Sequence, residues 1–303
     1  GATLSPSPLH AGSIGQVHLL TLPTSPHPTY HALKVKFPGI GSSVTSDLSN
    51  LSSLLTTFDV LPPGVFIDRV IKAAKKEVLA ECDYARERES TERYRRQVQA
   101  DEDLRRRGFR VVETVPELCT EETVATRWAH GVPLDSYSFP GGQSERDSVT
   151  GGLLRLCLLE LFGWRFSQTD PNYGNFLLSE GEVALIDFGG CASYERDFVA
   201  TYYDIISGAA EGDADRVVSA SRLCGLLSDR DPPEMVAAHL EAADALATPF
   251  KSEVFDFKTS NVTSSIGVAA RKFSRLRRTP PPGEVYTVHR KLAGCFEAAR
   301  RVA

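Results

Sequence analysis

No Cys-x-x-Cys pair occurs in the 303-residue chain; its six cysteines, at 82, 119, 157, 191, 224 and 295, are scattered. That argues against a disulfide framework or a zinc site, and the thiols read as buried or free in a reducing compartment. A membrane-spanning run of about 18 apolar residues is missing too. The longest candidate, Leu153 to Phe166, is interrupted by Arg155, Glu160 and Arg165, so any membrane contact is expected to be peripheral. Positive charge is in short supply: 34 Lys and Arg against 39 Asp and Glu give a formal charge of -5, without the basic excess of a nucleic-acid binder. Two local basic clusters, Arg105–Arg107 and Arg275–Arg278, read as solvated faces or as contacts to phosphate or anionic lipid. No internal repeat is present. The chain opens on loop-like residues, Gly1 to Pro8, with no targeting segment, as expected of a domain excised from a longer protein.

What is there is an ordinary globular balance, 42% hydrophobic and 24% charged, enough for one large domain or two lobes. Strands are expected at His18–Leu22 and Tyr30–Phe37, and a helix over Asp47–Leu55. After the break at Pro62-Pro63-Gly64, one long charged helix is expected from Asp68 to Gln97, its apolar positions recurring at helical spacing. Strands follow at Phe109–Val112 and Thr123–Trp128, a loop at Pro140–Gly152, and a buried helix at Leu153–Phe166. A short strand, Val183–Ile186, precedes a mainly helical remainder. Strands with one long helix, then helices, predict a two-lobed α+β protein, with an N-lobe over residues 1–130 and a helical C-lobe over 131–303.

Four constellations carry chemistry. His10-Ala11-Gly12-Ser13-Ile14-Gly15-Gln16-Val17 keeps two glycines and the valine of a G-x-G-x-x-G-x-V loop, whose backbone approaches phosphates closely. Alone it is weak, since a glycine-containing hairpin is more often just a turn. Lys34, in Ala32-Leu33-Lys34-Val35-Lys36, is either a phosphate-holding lysine with an acidic partner or one of two lysines on the exposed face of an edge strand. Its separation of 17 residues from Val17 suits two strands and a hairpin. Glu77, Glu81, Asp83 and Glu87 offer that acidic partner, with Asp83 and Glu87 expected on one helical face; balanced by Lys75, Lys76, Arg86 and Arg88, the same set also reads as a solvated face. The fourth constellation decides: Asp170-Pro171-Asn172-Tyr173-Gly174-Asn175 keeps the D-x-x-x-x-N spacing of a phosphoryl-transfer loop, and twelve residues on an apolar strand ends in Asp187-Phe188-Gly189. Hard oxygen donors held at the mouth of a strand pair suit Mg²⁺, so Asn175 and Asp187 are the expected metal ligands and Asp170 the base.

These residues resemble the UbiB-type atypical kinases, in particular the mitochondrial branch supporting coenzyme Q biosynthesis. The likeness rests on Ser13-Ile14-Gly15-Gln16-Val17-His18, Lys34-Val35-Lys36-Phe37-Pro38-Gly39, Glu81-Cys82-Asp83-Tyr84-Ala85-Arg86-Glu87, Gln168-Thr169-Asp170-Pro171-Asn172, Ile186-Asp187-Phe188-Gly189 and His289-Arg290-Lys291. The resemblance implies a protein-kinase-like fold that binds ATP with Mg²⁺, the nucleotide contacting Ala11, Gly12, Ser13, Gly15, Val17 and Lys34. It implies that Glu81 and Asp83 form an active-site Glu-x-Asp motif and that Glu87 pairs with Lys34. The implied activity is ATP hydrolysis or transfer to a small molecule, stimulated by lipid and quinone-precursor-like molecules. The implied setting is the matrix face of the inner mitochondrial membrane, with coenzyme Q biosynthesis proteins as partners, peripheral contact with inner-membrane lipid, a homodimer, and no nucleic acid. A nucleotide-gated scaffold of weak activity and a protein kinase are the alternatives; no Ala-Pro-Glu motif or long activation loop follows Gly189. Two departures stand out. The family's Lys-x-Gly-Gln motif is missing, and its alanine-rich loop here contains Gly12, expected to raise loop flexibility and alter nucleotide preference.

Overall fold

The computed structural model describes residues 1–58, 67–170, 172–276 and 281–303. In chain order it contains β1 (Thr3–Leu4), β2 (His10–Ala11), β3 (Gly15–Leu22), β4 (Thr29–Lys36), α1 (Ile40–Phe58), α2 (Ile67–Glu81), α3 (Tyr84–Ala100) and α4 (Glu102–Arg106). Next come β5 (Phe109–Val111), β6 (Thr123–Arg127), β7 (Val132–Pro133), α5 (Gly142–Leu158), β8 (Phe166–Gln168), β9 (Phe176–Ser179), β10 (Glu182–Leu185) and β11 (Cys191–Ser193). Helices α6 (Arg196–Glu211), α7 (Ala214–Leu223), α8 (Pro233–Ala247), α9 (Val262–Leu276) and α10 (Gly283–Val302) complete an α+β chain. The break at Pro62-Pro63-Gly64 and the basic residues Arg277 and Arg278 lie outside the described residues. Arg105–Arg107 sit on and just after α4, where Arg107 pairs with Asp103 at 2.9 Å, a helix-surface pair of the i,i+4 kind.

The chain divides into two compact units. The first comprises residues 1–57, 71–138 and 172–191, and the second 58–70, 139–171 and 192–303. In the first, one antiparallel sheet runs β1-β3-β4-β6 with β2 on β3. Strand β4 is therefore internal, and the edge-strand reading of Lys34 and Lys36 does not hold. The register sets Lys34 opposite Val17 on one side and Val124 on the other. A second sheet runs β5-β10-β9-β7, with β10 parallel to β5 and antiparallel to β9. Small apolar clusters, Ile14 with Tyr84 and Val124, and Val112 with Ala129 and Ala184, back these sheets. The second unit is held by a larger core from α5 to α10 that includes Leu161, Tyr202, Val217, Leu246 and Phe296.

Three expectations are corrected. The long helix Asp68–Gln97 is two helices, because Asp83 adopts an extended conformation and its carboxylate caps α3 by accepting the Arg86 N–H at 3.0 Å. Such side-chain acceptors end one helix and start another. Asp83 and Glu87 consequently do not share a helical face. The expected loop at Pro140–Gly152 is helical from Gly142, since Val149 and Leu153 are buried and Arg146 anchors the helix to the Val302 carbonyl of α10 at 2.7 Å; packing overrides weak propensity. The expected helix to Phe166 stops earlier. A π-turn over Leu159–Gly163, closed by the Trp164 N–H on the Leu159 carbonyl at 2.6 Å, and a left-handed Arg165 (φ 50°) turn the chain into β8.

Candidate functional site

The first unit gathers three charged residues remote in sequence. Lys34 Nζ lies 2.9 and 3.0 Å from the two oxygens of Glu87 and 3.3 Å from Asp187 Oδ2. Each element contributes one group: β4 the lysine, α3 the glutamate, and the turn after β10 the aspartate. The Lys34 and Glu87 side chains are 19% and 5% exposed, while Asp187 is 40% exposed; the buried pair is capped by a carboxylate open to solvent. Burial alone would lower the Lys34 pKa, but Glu87 and Asp187 outweigh it and the net shift is upward. Burial pushes Glu87 up to about 7, with Asp187 adding to the rise and Lys34 opposing it. A pair this deep is costly to break from one side, on the order of 3–5 kcal/mol.

Asp187 is fixed by its own backbone: Oδ1 accepts the Gly189 N–H at 3.0 Å. Beside it, β9 and β10 are paired so that Phe176 faces Leu185, and the next N–H out, that of Ile186, donates to the Asn175 carbonyl at 3.1 Å. Asn175 and Asp187 therefore leave the same end of one hairpin. Asn175 is buried at 8% exposure, within a short 3-10 turn that Asn172 caps by accepting the Gly174 N–H at 2.9 Å. One carboxylate and one amide oxygen at a hairpin mouth fit Mg²⁺, which takes hard oxygen donors and completes its shell with phosphates and water. These donors would hold the ion.

Helix α3 also supports the segment after Asp187. Arg86 donates to the Gly189 carbonyl at 3.2 Å and to the carbonyl of Cys191. Tyr94 packs on Phe188 with ring centroids 4.8 Å apart. Tyr84, 1% exposed, places its ring 5.5 Å from both Lys34 and Lys36 ammonium groups, a cation–π arrangement. Its hydroxyl is buried without a hydrogen-bond partner, and burial raises its pKa despite Lys34. In the sequence, Tyr84 and Arg86 have a place in the family-like stretch and Arg86 a place on a solvated face, but neither has a role at the site. The usable signal for Tyr84 was an aromatic at the start of a helix otherwise dense in charge; for Arg86 there was none, since it matched any solvated arginine.

The hairpin β2–β3 places Ala11 opposite Gln16 and closes with the Gly12 N–H donating 2.9 Å to the Gly15 carbonyl. Gly12 and Ser13 are exposed at its tip. The two glycines differ. A Cβ on Gly15 would meet the Val35 carbonyl at 2.3 Å and the Tyr84 hydroxyl at 2.8 Å, whereas one on Gly12 would meet nothing closer than 3.8 Å. Gly15 is thus required by strand and tyrosine packing, and Gly12 is sterically free. Glu81 ends α2 and its charge reaches Glu87. Exposed Asp83 serves as the cap already described. Asp170 belongs to the second unit, half-buried just beyond β8.

The ABC1 atypical kinase-like domain family matches residues 2–221. The atypical kinase COQ8B, mitochondrial, of Rattus norvegicus is 38% identical over 99% of this chain and 56% of its own length. Atypical kinase COQ8, mitochondrial, of Saccharomyces cerevisiae is 31% identical over 97% and 58%, and coq-8 of Caenorhabditis elegans is 33% identical over 97% and 39%. The chain spans about half the length of the curated relatives it matches. A Mycobacterium tuberculosis protein solved in complex with erythromycin superposes with a TM-score of 0.67 at 21% identity, over 99% of this chain and 74% of that one, so the two share a fold. The family model covers well over half of this chain, relatives more than 30% identical span nearly all of it, and the chain belongs to the ABC1 atypical kinase-like family.

Proposed function

We propose that this chain binds Mg²⁺-ATP and transfers its terminal phosphoryl group to water or a small molecule, in support of ubiquinone biosynthesis in the mitochondrion. The observation that carries the reading is the convergence of Lys34, Glu87 and Asp187 within 3.3 Å. Glu87 fixes the lysine's ammonium, and phosphate oxygens would take over the longer contact to Asp187, 3.3 Å, once that carboxylate turns to the metal. Asp187 and Asn175 offer the metal donors, and the bound Mg²⁺ supplies neutralisation of phosphate charge. Asp170, by its five-residue separation from Asn175, is assigned to orient the attacking hydroxyl or water and accept its proton. The names of the COQ8 relatives support the mitochondrial setting, and the quinone pathway follows from the family resemblance. Adenine nucleotide, coenzyme Q biosynthesis proteins and inner-membrane lipid are the proposed partners.

Phosphate release measured with malachite green, for the wild type and Asp187→Asn, tests the reading. The expected result is Mg²⁺-dependent release, raised by liposomes and a phenolic quinone-precursor mimic, and lost in the variant. A nucleotide-dependent thermal shift with no release would replace turnover by a nucleotide-gated scaffold.

A further inference from the structure

Three consecutive residues ahead of Asp170 are each fastened by a polar group from elsewhere in the second unit. The carboxylate of Glu160, with no exposure, accepts the Gln168 N–H at 2.8 Å and the Ser167 hydroxyl at 3.4 Å. Its other oxygen lies 2.5 Å from Lys291 Nζ, on α10, a residue only 7% exposed. The adjacent Arg290 donates its Nε to the Thr169 carbonyl at 3.1 Å and a terminal nitrogen to the Thr169 hydroxyl at 3.3 Å. One turn earlier on α10, the Thr287 hydroxyl accepts from the Tyr194 phenol at 3.1 Å, and the Tyr194 N–H holds the carbonyl of the left-handed Arg165 at 2.9 Å. Thr287, Arg290 and Lys291 stand at i, i+3 and i+4, one face of the helix.

Burying a carboxylate and an ammonium together stabilises a fold little more than an apolar pair of the same volume, and often less. What such a pair provides here is direction: Lys291 engages one Glu160 oxygen while the other faces the Gln168 N–H and the Ser167 hydroxyl. Lys291 stays charged because Glu160 outweighs the effect of burial on it. Helix α10 lies wholly beyond residue 221, where the family match ends.

We infer that Arg290 and Lys291 are positioning residues: α10 holds Ser167, Gln168 and Thr169 in place and so sets the aim of Asp170. The inference rests on the reading of Asp170 as the base, and two independent measurements keep the two apart. In the 303-residue chain, Arg290→Met is expected to leave the KM for Mg²⁺-ATP within about twofold and to lower kcat by about tenfold or more, because small misplacements of a catalytic group are expensive. Arg290→Lys, which keeps charge but not the two-point grip, falls between. The paired variant Glu160→Gln/Lys291→Met strands no charge, still offers the Gln168 N–H an acceptor, and is expected to lower kcat likewise; it serves if Arg290→Met does not fold. Hydrogen exchange read by mass spectrometry on the peptide covering 166–170 is expected to quicken in every variant. Wild-type kcat with unchanged exchange, or a raised KM at constant kcat, overturns the inference. A wild type without turnover removes the hydrolysis reading instead, and unchanged exchange in Arg290→Met then still overturns the positioning claim.

Discussion

Arg86 bonds the carbonyl of Gly189 across 103 residues of sequence, at 3.2 Å. The residue next to the Lys34 partner thus holds the chain immediately after Asp187. One turn of α3 fixes both the lysine and the aspartate, so the two cannot drift independently.

Removing that grip is expected to be felt in stability and site together. Arg86→Ala leaves the carbonyls of Gly189 and Cys191 without this donor, at about 1–3 kcal/mol, and urea unfolding should read a loss in that range. Arg86→Lys should recover only part of it, a single ammonium replacing a planar fork. A wild-type midpoint in Arg86→Ala would show the contact to be energetically idle.

The two loop glycines give opposite expectations. Gly15→Ala puts a methyl group against the Val35 carbonyl, and overpacking against backbone costs about 1–3 kcal/mol or more. Gly12→Ala has room, so its unfolding free energy should stay within about 0.5 kcal/mol of the wild type while ATP and ADP affinities change relative to each other. Unchanged affinities and turnover in Gly12→Ala would remove any special role for that glycine.

Tyr84 separates packing from hydrogen bonding. Its ring is buried between two lysines, and its hydroxyl has no partner. Tyr84→Phe is expected to be neutral or stabilising by about 1 kcal/mol, and Tyr84→Ala to cost about 3–5 kcal/mol. A destabilised Tyr84→Phe variant would mean that the hydroxyl is bonded.

The pH dependence follows from Glu87. Burial holds its carboxyl at about 7 in the folded chain against an ordinary 4.5. Between those values the folded state binds more protons than the unfolded one, so stability falls as pH rises through the window, by on the order of 2 kcal/mol. Lys34, raised in the folded state, adds stability across the whole window and loses it only in strong alkali. Thermal midpoints of wild type minus Glu87→Gln should therefore decline from pH 4.5 to 7; a flat or rising difference contradicts the assignment.

Much of this was readable in the residues, unevenly. The Val17-to-Lys34 spacing anticipated their facing positions on β3 and β4, because hairpin geometry converts sequence distance directly into register. The Asn175-to-Asp187 separation likewise spans a hairpin, β9 to β10, that brings the two backbone positions to one end. The residues alone left four acids as partners for Lys34, and only the family likeness pointed to Glu87. Helix continuity across Cys82 and Asp83 was misjudged because apolar periodicity says nothing of a side chain that caps. The helical Gly142–Gly152 stretch was hidden by its own glycines and serines, since what stabilises it is α10, more than a hundred residues on. The grip of Arg290 on Thr169 had no local signal, arginine on a helix surface being unremarkable until the strand it reaches is known.

The division of the chain has a practical outcome for anyone wishing to isolate the strand-bearing unit. Cutting after Ser138 would discard residues 172–191, and with them the parallel neighbour of Phe109–Val111. Such a fragment would keep Lys34 and Glu87 but forfeit Asp187, leaving an orphaned strand edge open to self-association. An intact second sheet requires that residues 172–191 stay with residues 71–138.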